Sequence, residues 1–214
     1  MKKPGIEELA NLNRLYRGMD VPAIIRHAYS LVSDDPYPLK VLALESGKSG
    51  KVPAAVMEAG LAHRISIAFL VAGEYGPETY QMVDRLRSQH TVLWIRYDGL
   101  PSHLKTVEGN GYEQSRQRKA ILTEVMFKEL HPSIVLLGNM YEPNKGRTDN
   151  DFAQFDDAHG VLRVHPFWGY TKDALEQFLL RHNLHANGNH VEPARREGES
   201  CPLQVMKPYM GSYI

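Results

Sequence analysis

Four short and nearly unbroken apolar runs constrain this chain most: Leu39–Leu44 (LKVLAL), Ile65–Val71 (ISIAFLV), Thr91–Tyr97 (TVLWIRY) and Ser133–Gly138 (SIVLLG). A strand with one wet face alternates apolar and polar residues. These runs do not alternate, so both faces must be covered, as in a parallel sheet. Helical patterns separate them. Pro77–Arg87 opens with proline at a favourable first-turn position and a glutamate beside it. Gln114–Leu130 puts Ile121, Leu122, Val125, Met126 and Leu130 on one face, and Thr171–His182 has a threonine cap and Leu175, Phe178 and Leu179 at helical spacing. Val161–Val164 reads as a fifth strand and residues 6–32 as two helices ahead of the first. The expected fold is α/β: an open, mostly parallel sheet of about five strands with helices on both faces, preceded by N-terminal helices. Residues 1–184 are expected to form one unit and 185–214 a C-terminal loop or tail. The stretch 142–160, rich in Gly, Asn, Asp and charge, is also expected to be loop.

Composition narrows the functional classes. With 43% hydrophobic residues among 214, the chain can bury a sizeable core. Its formal net charge is zero, so charge gives no support to a nucleic-acid or anionic-membrane partner. No apolar run approaches a membrane span, and the N-terminal MKKPGIEELANLNRLYRG lacks an apolar signal core. The sequence therefore reads as that of a cytoplasmic protein. Cys201 is the sole cysteine, which excludes an internal disulfide and a four-cysteine iron–sulfur cluster from this chain. His182, His185, His190 and Cys201 fit no common zinc spacing, and no metal site is expected.

The stretch LALESGKSGKVPAAV, residues 42–56, joins the first strand to a helix expected over Val52–Ala62. Ligands of open α/β sheets bind off the carboxyl ends of strands, and a glycine-rich turn before a helix offers backbone N–H groups to an anion. Ser46, Gly47, Lys48, Ser49, Gly50 and Lys51 are the candidates. A Walker loop needs a wider glycine spacing and Ser or Thr after its lysine, and a dinucleotide fingerprint needs a third glycine. Neither is present. Taken alone, the stretch suits a phosphate cradle or a plain turn with two surface lysines.

The region Lys40–Leu86 resembles the phosphoadenylyl sulfate (PAPS) reductase family of the adenine nucleotide alpha-hydrolase-like superfamily. Pro77-Glu78-Thr79-Tyr80 matches the family's helix start, with Gly73 at the expected distance before it. Downstream, Gly138-Asn139-Met140-Tyr141-Glu142, with Arg147 beyond, resembles the family's Gly-Leu-Arg-Arg-Glu segment and following arginine. Val161–Asn183 resembles its proline-containing strand end, Asp-Trp and closing helix. Glu199-Ser200-Cys201 stands where the family carries Glu-Cys-Gly-Leu-His. The similarity covers roughly residues 20–205 and keeps the order of elements.

The resemblance implies an oxidoreductase of sulfur metabolism that binds an adenine nucleotide or sulfonucleotide. Cys201 would attack the sulfur, and thioredoxin or glutaredoxin would supply the reductant, with no bound cofactor. Ser46, Gly47 and Ser49 would line the phosphates with Lys48, Gly50 and Lys51. Gly73 and Glu142 would complete the nucleotide site, and Arg147 would hold phosphate or sulfate. A homodimer is compatible with it. The departures are specific: the family's Asp-Thr is Val71-Ala72, its paired arginines are Met140 and Tyr141, its Asp-Trp is Gly169-Tyr170, and Pro202-Leu203-Gln204 follows the cysteine. Two further readings stay open. One is an ATP-cleaving or adenylating enzyme with Mg²⁺; the other is a nucleotide- or partner-binding module that has lost the chemistry. The bland alternatives are a solvated Arg147 and an ordinary unpaired Cys201. Glu74, Glu78 and Glu142 could serve as acids, bases or Mg²⁺ ligands, but nothing in the sequence arranges them as a pair.

Overall fold

The computed structural model describes residues 2–45, 50–73, 75, 77–105, 107, 111–141 and 151–184. The elements run α1 (Ile6–Tyr16), α2 (Val21–Ser30), β1 (Val41–Glu45), α3 (Lys51–Glu58), β2 (Ser66–Val71), α4 (Pro77–Arg87), β3 (Val92–Arg96), α5 (Gly111–Leu130), β4 (Ile134–Leu136), β5 (Ala153–Asp156), β6 (Val161–Val164) and α6 (Lys172–Arg181). The sheet has the order β3-β2-β1-β4-β6-β5. All neighbours are parallel except the β5–β6 pair.

The expected α/β sheet is therefore present, with six strands in place of about five. The additional strand is β5, in the second half of the stretch expected to be loop. Its sequence, Ala-Gln-Phe-Asp, is half exposed beyond its first residue. Helix α1 pins it from outside the sheet: Asn13 donates from Nδ2 to the Ala153 carbonyl at 3.0 Å and accepts from the Ala153 amide at 2.7 Å. Two helix bounds also differ. α3 ends at Glu58, short of Ala62, and α5 begins at Gly111, ahead of Gln114.

Helix starts follow local chemistry. Asp20 accepts from the Ala23 amide at 2.7 Å to open α2, and Thr171 accepts from the Ala174 amide at 3.2 Å to open α6. Pro53 sits in the first turn of α3, where an amide has no intrahelical partner to lose.

Both sheet faces are covered. On one, α2, α3 and α6 pack over Val41, Ala43, Ile67, Ile134 and Val164, and α4 covers Phe69, Val71 and Trp94. On the other, α5 lays Leu122, Met126, Phe127 and Leu130 over Leu42, Ala68, Leu70 and Val135. This accounts for the unbroken apolar runs: every residue of β2 is buried. Each such Leu, Ile or Phe contributes roughly 1.5–3 kcal/mol on burial. Helices α3 and α4 carry the chain from β1 outward to β3 on one face. Helix α5 returns it across the other face to β4, on the far side of β1. The order thus reverses between β1 and β4, the kind of switch point at whose carboxyl ends open α/β sheets form a ligand crevice. Among the described residues, no helix is long and apolar enough to cross a membrane.

Candidate functional site

Off the carboxyl ends of β1 and β4, Gly50 and the start of α3 stand on one side and the segment after β4 on the other. Gly50, the residue before α3, has φ +65°, the left-handed region that favours glycine. A Cβ there would lie 3.1 Å from Met82 Sδ of α4 and 3.8 Å from Leu184 Cδ2, so α4 and the end of the α6 segment both close on this turn. Lys51 is the first residue of α3. Its Nζ lies 5.3 Å from the Phe167 ring centroid. Across the crevice, Gly138 approaches so closely that a Cβ would sit 2.8 Å from Lys51 Cε and 3.2 Å from Val52 Cγ2. The lysine end can swing aside, but the valine methyl is fixed by the helix. Position 138 therefore has to be very small for β4 and α3 to meet.

Of the candidate residues, Gly50, Lys51 and Gly73 are described. Lys51 meets the β4 side through Gly138, Gly50 faces Met82 and Leu184, and Gly73 follows the carboxyl end of neighbouring β2. Ser46, Gly47, Lys48, Ser49, Glu142, Arg147 and Cys201 lie outside the described residues. Among the described residues there is no cluster of three or more metal-ligating side chains.

The positions that depart from the family pattern are packed. Met140 is buried against the core, and Tyr141 meets Trp168 edge-on at 5.6 Å while its amide donates to the Trp168 carbonyl at 3.1 Å. A Cβ on Gly169 would lie 3.0 Å from Phe152 Cζ, so an aspartate here would need that ring to shift by a few tenths of an ångström. Ala72 is buried at the end of β2. A cavity of about 560 Å³ opens beside β4 and β6, lined by Arg17, Tyr141, Asp151, Trp168, Gly169, Tyr170 and Thr171. Its lining includes neither Gly50 nor Lys51. Its one cation, Arg17, is paired with Asp151 at 3.0 Å.

Three polar side chains at the carboxyl end escaped sequence reasoning. Arg118 of α5 reaches the Ala72 carbonyl at 3.5 Å and lies over the Tyr97 ring at 5.0 Å. Among the described residues, the buried Arg118 Nε and Tyr97 hydroxyl have no hydrogen-bond partners. His165, just past β6 and 2% exposed, has no partner for either ring nitrogen among the described residues. Burial, with Arg163 nearby, pushes its pKa down to about 4, so it is neutral at physiological pH. The sequence signal for these was weak. An arginine on an amphipathic helix reads as solvated, and a tyrosine or histidine at a strand end reads as packing.

No protein-family model matches this sequence, and no curated protein matches it. Among solved structures, the chain is similar to a phosphoadenylyl-sulfate (PAPS) reductase from Candida auris, determined as a phosphate complex. Identity is 14%, the TM-score is 0.66, and the match covers 87% of this chain and 91% of that one. The chain therefore has the fold of a PAPS reductase, carried by a strongly divergent sequence.

Proposed function

We propose that this chain binds an adenine nucleotide in the β1–β4 crevice and acts as a PAPS-reductase-like enzyme through Cys201. One observation carries the reading: Leu184, the last described residue before Cys201, lies beside Gly50, with its Cδ2 3.8 Å from where a Cβ at that glycine would be. Cys201 lies seventeen positions beyond Leu184. A chain of that length spans at most roughly 60 Å, enough to bring a thiol to any strand end. The fold likeness to a PAPS reductase supports the same reading.

The residues suggest how the chemistry would run. The turn at Gly50 and the start of α3 present amides and a positive helix end to a phosphate. Pro53 has no backbone N–H and so offers no donor in this first turn. The Cys201 thiolate attacks the sulfonate sulfur. A sulfur–sulfur bond forms, the bond from sulfur to the bridging phosphate oxygen breaks, and the adenosine nucleotide leaves with that electron pair. A dithiol reductant of the thioredoxin or glutaredoxin class then supplies two electrons, takes up the cysteine as a mixed disulfide and releases sulfite.

A second reading has its own support. Met140, Tyr141 and Gly169 fill with packing contacts the positions where the family carries charge. That favours a module that keeps nucleotide binding and has lost turnover. One assay separates the two. Sulfite release from PAPS with reduced thioredoxin is measured on the wild type and on Cys201→Ser. The reductase reading expects release from the wild type and none from the variant, with nucleotide binding retained by both. Binding without sulfite from either selects the second reading. AMP and pyrophosphate formed from ATP with Mg²⁺, without need of Cys201, would select an adenylating enzyme.

A further inference from the structure

Three of the positions that depart from the family pattern converge on one place. Tyr141, where the family carries an arginine, and Gly169-Tyr170, where it carries Asp-Trp, all line the cavity of about 560 Å³ beside β4 and β6. Singly, each exchange reads as drift. Together they remake one concave surface. That surface stands at the carboxyl end of the sheet. Tyr141 follows β4, Gly169 and Tyr170 follow β6, and Asp151 precedes β5, which runs antiparallel to β6. Ligands of open α/β sheets bind at that end, and the volume is that of a small-molecule site. One ring links the cavity to the start of α3: Phe167 meets Tyr170 edge-on at 5.2 Å and has Lys51 Nζ 5.3 Å from its centroid.

The walls suit a flat, uncharged occupant. Tyr141 is 50% exposed and meets Trp168 at an interplanar angle of 77°, so the two rings form a corner. A planar ring lying against one of them presents its edge to the other, and aromatic pairs favour both arrangements. Backbone bonds hold the corner in place. The amides of Trp168 and Tyr170 donate to the carbonyls of His165 and Phe167 at 3.0 Å each, and the Tyr141 amide donates to the Trp168 carbonyl. Among the described residues, the charged side chains of the lining are Arg17 and Asp151, paired with each other at 3.0 Å. The pair can exchange hydrogen bonds with polar atoms on a ligand's rim. It offers no net charge, so an ion entering here loses hydration without gaining a counter-charge.

We infer that this cavity is a binding site for a neutral, planar aromatic group, seated in the corner between Tyr141 and Trp168. The inference goes beyond the nucleotide reading and does not rest on it. Nucleotide binding at the Gly50 turn can fail without touching it.

Calorimetric titration of the full chain with indole and with indole-3-carboxylate, matched rings that differ in charge, tests this. The wild type is expected to bind indole, and to bind it at least about fivefold more tightly than the carboxylate. Tyr141→Ala removes one wall of the corner and should weaken indole by roughly five- to tenfold. Tyr141→Arg puts the family's charge back and should reverse the preference, so that the carboxylate binds more tightly than indole. It decides by that reversal if Tyr141→Ala does not fold. A wild type that binds no indole up to its solubility, or that binds the carboxylate as tightly, would overturn the inference. So would indole binding that Tyr141→Ala leaves unchanged, because the ring would then sit elsewhere on the protein.

Discussion

The two ends of the sheet treat their polar side chains differently. At the amino end, charge is paired. Lys40, 8% exposed, donates to the carbonyls of Ser33 at 3.0 Å and Asp35 at 2.6 Å and lies over the Tyr29 ring. The Tyr37 hydroxyl donates to the Leu130 carbonyl at 2.7 Å. In the β5–β6 turn, His159 bridges Asp156 at 2.7 Å and Glu124 at 2.8 Å. At the carboxyl end, Arg118, Tyr97 and His165 hold buried polar atoms without partners. His90, ahead of β3, is an exception at the amino end. Burial lowers its pKa and keeps it neutral, so the unpaired group there is not a charge. The difference teaches where stability and function were separately invested. Paired polar groups hold most of the amino end together, and among the described residues the buried unpaired atom that belongs to a cation, Arg118 Nε, lies at the carboxyl end.

The largest effect should come from breaking the amino end. Lys40→Met leaves two inward-facing carbonyls without their donor and should cost about 2 kcal/mol in urea unfolding. Nucleotide affinity should not change. A variant of unchanged stability would erase the contrast between the ends. A smaller effect should sharpen it. Both ring nitrogens of His159 face carboxylates and can be satisfied together only as donors, so the imidazolium is the bonded form. The hydrogen bond to Glu124 leads in raising its pKa; burial works against this, and Asp156 adds to the rise. A raised pKa means that the contribution is full below the ordinary histidine range and fades as pH climbs through the folded value. His159→Gln should therefore lower the melting temperature by roughly 1–3 °C at about pH 5.5 and by less at about pH 9. A larger loss at the alkaline end would contradict the sign.

Much of this contrast was invisible in the sequence, for physical reasons. Strands β1, β2 and β4 announce themselves because both of their faces are buried, and nothing but continuous apolar runs can fill them. Strand β5 does not, because it is a half-exposed edge strand. Its anchor, Asn13, lies 140 residues away in the sequence. The Gly50 turn was legible because its chemistry is local: glycines between a strand and a helix. The fit of Gly138 against Lys51 and Val52 depends on β4 lying beside β1. The Arg118–Tyr97 pair depends on α5 crossing the second face. Both are products of topology, and neither has a spacing that a reader could find along the chain. The family resemblance identified the fold and the altered positions. The packing of Met140, Tyr141 and Gly169 shows what the altered positions do instead.

The most direct test of the account is hydrogen–deuterium exchange on the full chain, with and without adenosine 3′,5′-bisphosphate. The account predicts slower exchange on ligand addition in the turn and first helical residues around 46–54 and in the segment 137–141, with no change across 33–40 at the opposite end of the sheet. Protection confined to the amino end, or none anywhere at saturating ligand, would contradict the assignment of the crevice between β1 and β4 as a nucleotide site.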